Sequence, residues 1–261
     1  EPYYNSIVIP IMIPAILVMG IGPVLSWGKE NISKTFEKAV PSILLTTIIT
    51  VIFFLIYQSN GILGIVGIVL AFWLISNNLV ILVRAIAIKN NILNFVQDTI
   101  PNCSNGMIVA HIGVGLLILG ITGSSVWQEE KITRMKINGE TQIHAYNIIF
   151  EEINEITGPN YVSLQGNFLV HDKEKNIITK LKPENRYYPV TNNFTTEASI
   201  HTNLLRDLYI VLGEGNINDG WVVRIYYNPL VVWIWIGALT IFIGGIVSMS
   251  NNLKIVKRLS Q

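Results

Sequence analysis

Apolar residues in this chain come in long runs, not in the short alternations of an ordinary water-soluble domain, and their lengths set the first expectation. A hydrocarbon core of about 30 Å takes ~20 residues of helix to cross. Runs of that order stand at about 7–27, 40–57, 62–83 and 105–126, with a last one beginning at Pro229 and ending near Met249. The first is interrupted by Pro10, Pro14, Gly20, Gly22 and Pro23, so its helix is expected to be kinked or broken. Residues 28–39, with Lys29, Glu30, Lys34, Glu37 and Lys38, read as a polar loop. The short turn Gln58-Ser59-Asn60-Gly61 makes the second and third spans antiparallel neighbours. Between 85 and 100, Ile88, Ile92, Phe95 and Ile100 recur at helical spacing among Lys89, Asn90, Asn94 and Gln97. That pattern suits a helix lying in the membrane interface and a plain polar loop equally well.

After the fourth run the period changes. Residues 131–137, an Asn138-Gly139 turn and the stretch from Glu140 read as a β-hairpin. Short alternating segments follow at 161–170, 177–181, 208–212 and 221–227, and Gly213-Glu214-Gly215 reads as a turn. The expected fold is an α-helical integral membrane protein of about five transmembrane helices with an inserted β-rich extramembrane domain. Its expected organisation is membrane helices over 1–127, the β-rich domain over 128–228, and the last helix with its tail over 229–261.

Composition agrees with this reading and charge adds an orientation. Hydrophobic residues make up 51% and charged residues 13%, and the net charge of +1 has no basic block behind it, which argues against a nucleic-acid partner. Eight Lys and Arg lie outside the β-rich domain, all on one side of the expected spans, which the positive-inside rule assigns to the cytoplasm or matrix. The β-rich domain then faces outward, and Trp127, Trp221, Tyr226, Tyr227 and Trp233 read as an outer aromatic belt. Trp233 and Trp235 read as interface or packing residues. Cys103 is the only cysteine, so the chain can form neither an internal disulfide nor a CxxC or CxxCH motif. An opening without Met, charged n-region or cleavage site reads as a piece of a longer polypeptide.

The candidate chemistry sits in the run 105–127, which contains no Asp, Glu, Lys or Arg but one histidine, His111. Gly106, Ala110, Gly113 and Gly120 form a small-residue stripe suited to close helix contact, and Gly115, one turn beyond His111, leaves room for a flat group beside the imidazole. An intramembrane histidine must find a hydrogen-bond partner, water or a metal, and neutral imidazole ligates iron well. Ligation and packing across a helix interface stand level on this helix alone. His111 lies about six residues, or roughly 9 Å, from the inner end of its helix. The other expected spans contain no histidine, so a bis-histidine site needs a ligand from outside this chain. His144, His171 and His201 in the β-rich domain match no metal-ligand spacing. Glu184, Arg186, Glu197, Arg206, Asp207 and Arg224 there suit either a partner-binding patch or internal ion pairs.

The order of short motifs resembles one family over nearly the whole chain. The motifs are Pro2-Tyr3-Tyr4-Asn5, Met19-Gly20-Ile21-Gly22-Pro23, Ala110-His111-Ile112-Gly113, Gly158-Pro159-Asn160-Tyr161 and Pro183-Glu184-Asn185-Arg186-Tyr187-Tyr188. They continue with Thr196-Glu197, Arg206-Asp207-Leu208-Tyr209, Trp221-Val222-Val223-Arg224-Ile225-Tyr226, Asn228-Pro229, Trp233-Ile234-Trp235-Ile236-Gly237 and Gly244-Gly245. Together they are similar to the C-terminal part of CcmF, the heme lyase subunit of cytochrome c maturation. The resemblance implies that heme from a CcmE-like chaperone is joined to the CxxCH cysteines of apocytochrome c, which CcmH/CcmI-like thiol-handling subunits present. It implies as cofactors a transient substrate heme and a membrane heme b with His111 as one axial ligand. It also implies a tryptophan-rich segment with flanking histidines and a second heme b ligand, none of which is in this sequence. The expectation is therefore a split-gene product or fragment that works with an N-terminal CcmF part, is inactive alone, and sits among lipid in a bacterial inner or mitochondrial inner membrane. The competing readings are a heme-free partner-docking or degenerate fragment, and a transporter piece suggested by the proline-broken first span.

Overall fold

The computed structural model describes residues 2–24, 32–56, 61–89 and 105–259. Five helices are present among them: α1 (Pro2–Ile21), α2 (Ile32–Ile56), α3 (Ile62–Lys89), α4 (Asn105–Val126) and α5 (Val231–Leu259). Four contain stretches long and apolar enough to cross a membrane, Phe36–Ile56, Ile62–Arg84, Asn105–Val126 and Val231–Ser250, and α1 carries a shorter apolar stretch, Ser6–Ile21. The chain is thus a helical membrane protein with an inserted β domain.

Several boundaries differ from the sequence reading for physical reasons. α1 runs through Pro10 and Pro14 as one helix and passes into a single 3₁₀ turn, Gly22–Val24, at Pro23. The stretch taken as a polar loop is helical from Ile32, because nothing between Ser33 and Val40 breaks a helix; Pro41 is accommodated inside α2. α3 continues past Arg84 to Lys89, so the start of the 85–100 segment belongs to a spanning helix, while its remainder, 90–100, and Cys103 lie outside the described residues. The last helix begins two residues later than expected, since Pro229 ends a strand and Leu230, at φ 60°, makes the change of direction.

Chain contacts separate two units, Glu1–Thr122 with Trp233–Gln261, and Gly123–Val232. In the helical unit α3 is central, with Ile68, Ala71, Leu74, Ser76 and Asn78 at 0% exposure. Trp73 fills the space over Gly20 of α1 and donates its indole N–H to the Leu17 carbonyl at 3.3 Å. α4 and α5 meet through glycine. A Cβ at Gly113 would lie 2.7 Å from the Ile241 nitrogen, and one at Gly244 would lie 2.5 Å from the Ala110 nitrogen. Where lipid offers no hydrophobic gain for helix pairing, such backbone proximity supplies the dispersion contacts that hold helices together. The small-residue stripe of α4 is used as its spacing predicts.

The second unit is a β-sandwich of ten strands: β1 (Glu129–Met135), β2 (Glu140–Ile143), β3 (Tyr146–Thr157), β4 (Val162–His171), β5 (Ile177–Leu181), β6 (Glu184–Tyr188), β7 (Asn193–Glu197), β8 (Ser199–Thr202), β9 (Arg206–Asn216) and β10 (Gly220–Pro229). One sheet has the order β1-β10-β9-β8 and the other β2-β3-β4-β6-β7, with β5 also on β4. Alternate residues of both sheets face inward, among them Ile148, Phe150, Phe168, Val170, Leu208, Ile210, Leu212, Val223 and Ile225, all at 0% exposure. Phe150 stacks on Phe168 at 4.5 Å and meets Trp221 edge-on at 5.7 Å. Gly166 makes room for that pair, since a Cβ there would come 2.7 Å from the Phe168 ring.

The expected hairpin across Asn138-Gly139 does not form. β1 pairs with β10, β2 pairs with β3, and the turn carries the chain from one sheet to the other. Gly139 N–H donates to the Lys136 carbonyl at 2.8 Å, and only the residue before it, Asn138, has positive φ (63°). One positive φ at the third turn position is the type II pattern, whereas the hairpin turn I′ needs two. Gly213 and Gly215 likewise lie within β9, where their missing Cβ atoms let β10 approach: a Cβ at Gly215 would sit 2.4 Å from Trp221 Cα.

Candidate functional site: His111 and its surroundings

His111 stands in the first half of α4, a helix without Asp, Glu, Lys or Arg, and its surroundings follow from how α4 meets α3. One turn before it, Ile108 is 1% exposed and packs on Ile81, with Leu82 and Ile112 beside them. One turn after it, a Cβ at Gly115 would meet Ile75 Cγ1 at 2.6 Å and the Ala71 carbonyl at 3.1 Å. The room expected over Gly115 for a flat group is therefore filled by Ile75. The imidazole itself is only partly buried, yet its Nδ1 is fully enclosed and has no hydrogen-bond partner among the described residues. An enclosed, unpartnered ring nitrogen in an apolar layer is costly, and such groups call for a specific explanation.

A second polar feature was not singled out from the sequence. Ser76, Asn77 and Asn78 interrupt the apolar run of α3, and none is more than 1% exposed. Asn78 donates to the Leu74 carbonyl at 2.8 Å, but Ser76 Oγ, both polar atoms of Asn77 and Asn78 Oδ1 have no partner among the described residues. α3 and α4 run in opposite directions with Ile75 against Gly115 and Ile81 against Ile108, so Asn78 lies at the level of His111. The visible signal was three consecutive polar residues inside a spanning segment, which membranes tolerate only when they are satisfied or used.

The histidines of the sandwich have local explanations. His144, at φ 49° between β2 and β3, has its Nδ1 2.8 Å from Glu129 Oε1, which accepts, and stacks on Tyr227 at 4.3 Å. His171 Nδ1 meets the Lys175 carbonyl at 3.2 Å. His201 Nδ1 accepts from Arg206 Nη1 at 2.6 Å, and Arg206, 2% exposed, also donates to Tyr146 Oη at 3.0 Å. Burial of His201, and then the neighbouring Arg206 charge, hold its pKa below the ordinary 6.5. Among the described residues no group of three or more His, Cys, Asp or Glu is placed to hold a metal ion.

The charged residues divide similarly. Arg186 donates to Glu184 at 2.8 Å, lies 3.7 Å from Glu197 and covers the Tyr161 ring at 4.5 Å. The hydrogen bond from Arg186 pulls Glu184 below the usual carboxylate range and raises Arg186 in return. Arg206 is buried, which leaves Arg224 beside Glu214, Tyr209 and Tyr226 in an open groove. The expected aromatic belt loses two members: Trp221 (4% exposed) and Tyr227 (8%) are in the sandwich core.

Four membrane-length apolar helices around an inserted β-sandwich define an integral membrane protein of mixed architecture, and comparison with known proteins narrows this. The sequence profile described as CcmF C-terminal beta-sandwich matches residues 126–229. Over 95% of its length the chain is 31% identical to cytochrome c-type biogenesis protein CcmF of Escherichia coli (strain K12), of which it covers 37%. Over 96% it is 28% identical to the Haemophilus influenzae CcmF, covering 39%. The solved structure of a cytochrome c heme lyase CcmF matches the fold with a TM-score of 0.71 over 95% of this chain and 40% of that one, at 17% identity. The chain belongs to the CcmF family and corresponds to its C-terminal part, spanning about two-fifths of the length of these relatives.

Proposed function

We propose that this chain supplies the β-sandwich and flanking helices of a cytochrome c heme lyase, and that His111 is one axial ligand of a membrane heme b whose second ligand comes from another polypeptide segment. The observation that carries the ligand assignment is the His111 ring: partly exposed, in an apolar helix, with an enclosed Nδ1 that no described residue satisfies. The residues fit the group in kind, since neutral imidazole is a strong iron ligand and the same level of the membrane holds the polar Asn78. A b-heme supplies one-electron transfer, at a potential set by its axial ligands and surrounding dielectric. This chain's own residues orient the imidazole. Ile108 and Gly115 fix α4 against α3 on either side of it, and the glycine contacts fix α4 against α5.

In this reading the sandwich faces the periplasm or intermembrane space across a bacterial inner or mitochondrial inner membrane. There it works with a CcmE-like heme chaperone and CcmH/CcmI-like thiol-handling subunits on apocytochrome c, and its substrate is heme destined for the two CxxCH cysteines. The similarity to cytochrome c-type biogenesis proteins supports this role, and the eight basic residues on the opposite side of the spans support the orientation. The test is heme content: His111→Ala in the assembled complex loses b-type heme in a pyridine-hemochrome assay, and unchanged b-heme overturns the ligand assignment.

A further inference from the structure

Asn203, Leu204 and Leu205 make the turn between β8 and β9, and the two leucines are each 60% exposed. Two adjacent exposed leucines are poorly matched to water, and the backbone around them is closed on itself. Asn203 Oδ1 accepts from the N–H groups of Leu205 and Arg206 at 2.8 Å each, and Asn203 N–H donates to the Arg206 carbonyl at 3.0 Å. The Leu205 carbonyl accepts from Leu230 N–H at 2.9 Å. Leu230 is the residue immediately before α5 and its apolar stretch Val231–Ser250. Its side chain is 6% exposed and covers Gly123, in the last turn of α4. The turn is therefore pinned at the level where the chain passes between the sandwich and two membrane helices.

We infer that this turn is a lipid contact of the β-sandwich, with Leu204 and Leu205 entering the membrane where headgroups meet hydrocarbon. Two observations choose lipid as the occupant. The first is continuity: a direct hydrogen bond ties the turn to the residue that opens a spanning helix, and the headgroup layer is only about 5–8 Å deep on each side, within reach of a leucine. The second is backbone satisfaction, because peptide groups entering an apolar layer must be bonded internally, and Asn203 and Leu230 provide this for Leu205. Arg206 completes the arrangement by turning inward onto Tyr146 and His201, which keeps its charge out of the contact.

The test uses the full chain in phosphatidylcholine vesicles with Cys103 replaced by Ser and a nitroxide attached at Leu204→Cys or Leu205→Cys. Val190→Cys is the control, since Val190 is 93% exposed at the β6–β7 turn. Each substitution replaces only an exposed side chain, so the two leucine positions are separate tests of one surface. The expected result is a ratio of oxygen to nickel-chelate collision rates several-fold higher at both leucine positions than at Val190. A ratio equal to that at Val190 places the turn in water and overturns the inference. Labels shielded from both oxygen and nickel place it under protein and overturn it equally.

Discussion

At the scale of single residues, the sandwich uses its charged and aromatic side chains chiefly on itself. Arg186 separates Glu184 and Glu197, which face each other across β6 and β7, and Arg206 is held by His201 and Tyr146. His201 gives this a pH dependence. The neutral ring accepts from Arg206, whereas the protonated ring would face a guanidinium without a lone pair to offer. Burial first, and then the Arg206 charge, hold its folded pKa below 6.5. A folded-state pKa below the unfolded one contributes stability that is full above the unfolded value and lost as pH falls through the folded value. Unfolding of the sandwich, followed by amide exchange at Leu208 and Ile210, is thus expected to become easier as pH falls below the ordinary histidine value of 6.5. His201→Asn keeps an acceptor without a titration and should flatten that slope. Glu184 acts in the same direction in its own range, contributing above 4.5 and losing its contribution as pH falls below it.

At the scale of elements, the decisive contacts are those where glycine lets backbones approach. Gly244 and Gly245 are adjacent in α5 but differ completely in surroundings. A Cβ at Gly244 meets the Ala110 nitrogen at 2.5 Å and the Gly106 carbonyl at 2.7 Å, and one at Gly245 meets nothing within 4 Å. Backbone cannot step aside as a flexible side chain can, so Gly244→Leu should cost about 1–3 kcal/mol or part α4 from α5, and Gly245→Leu should be close to neutral. Thermal midpoints of the two variants in detergent check this, and equal midpoints would contradict the packing. The α4 stripe was legible because small residues at helical spacing have one use in a membrane helix. β3 was not legible although it is the longest strand, because a bulge between Phe150 and Glu152 shifts its inward phase from Ile148 and Phe150 to Ile153. The Asn138-Gly139 turn was legible as a turn but not as a crossing between sheets, since the two uses share their residue types and differ in backbone φ.

At the scale of the whole molecule, the architecture was readable from run lengths, and the family from motifs spread along the chain. The candidate membrane site was visible in the sequence as one residue, and its surroundings were misread. His111 stood out because ionisable groups are rare in such helices, but no periodicity in α4 could say that Ile75 of α3 fills the space over Gly115. The Ser76-Asn77-Asn78 layer was visible in the sequence and takes its meaning from depth, which only the pairing of α3 with α4 supplies. On the proposed function, His111 is one ligand of a membrane heme and the β-sandwich is one part of a heme lyase. The most direct measurement is chemical rescue at the ligand: the absorption spectrum of the assembled complex carrying His111→Gly, with and without added imidazole. With His111 as an axial ligand, the b-heme bands disappear in the variant and return with imidazole. Bands that persist without imidazole would contradict that ligation, as would a loss that imidazole does not restore in a complex that remains assembled.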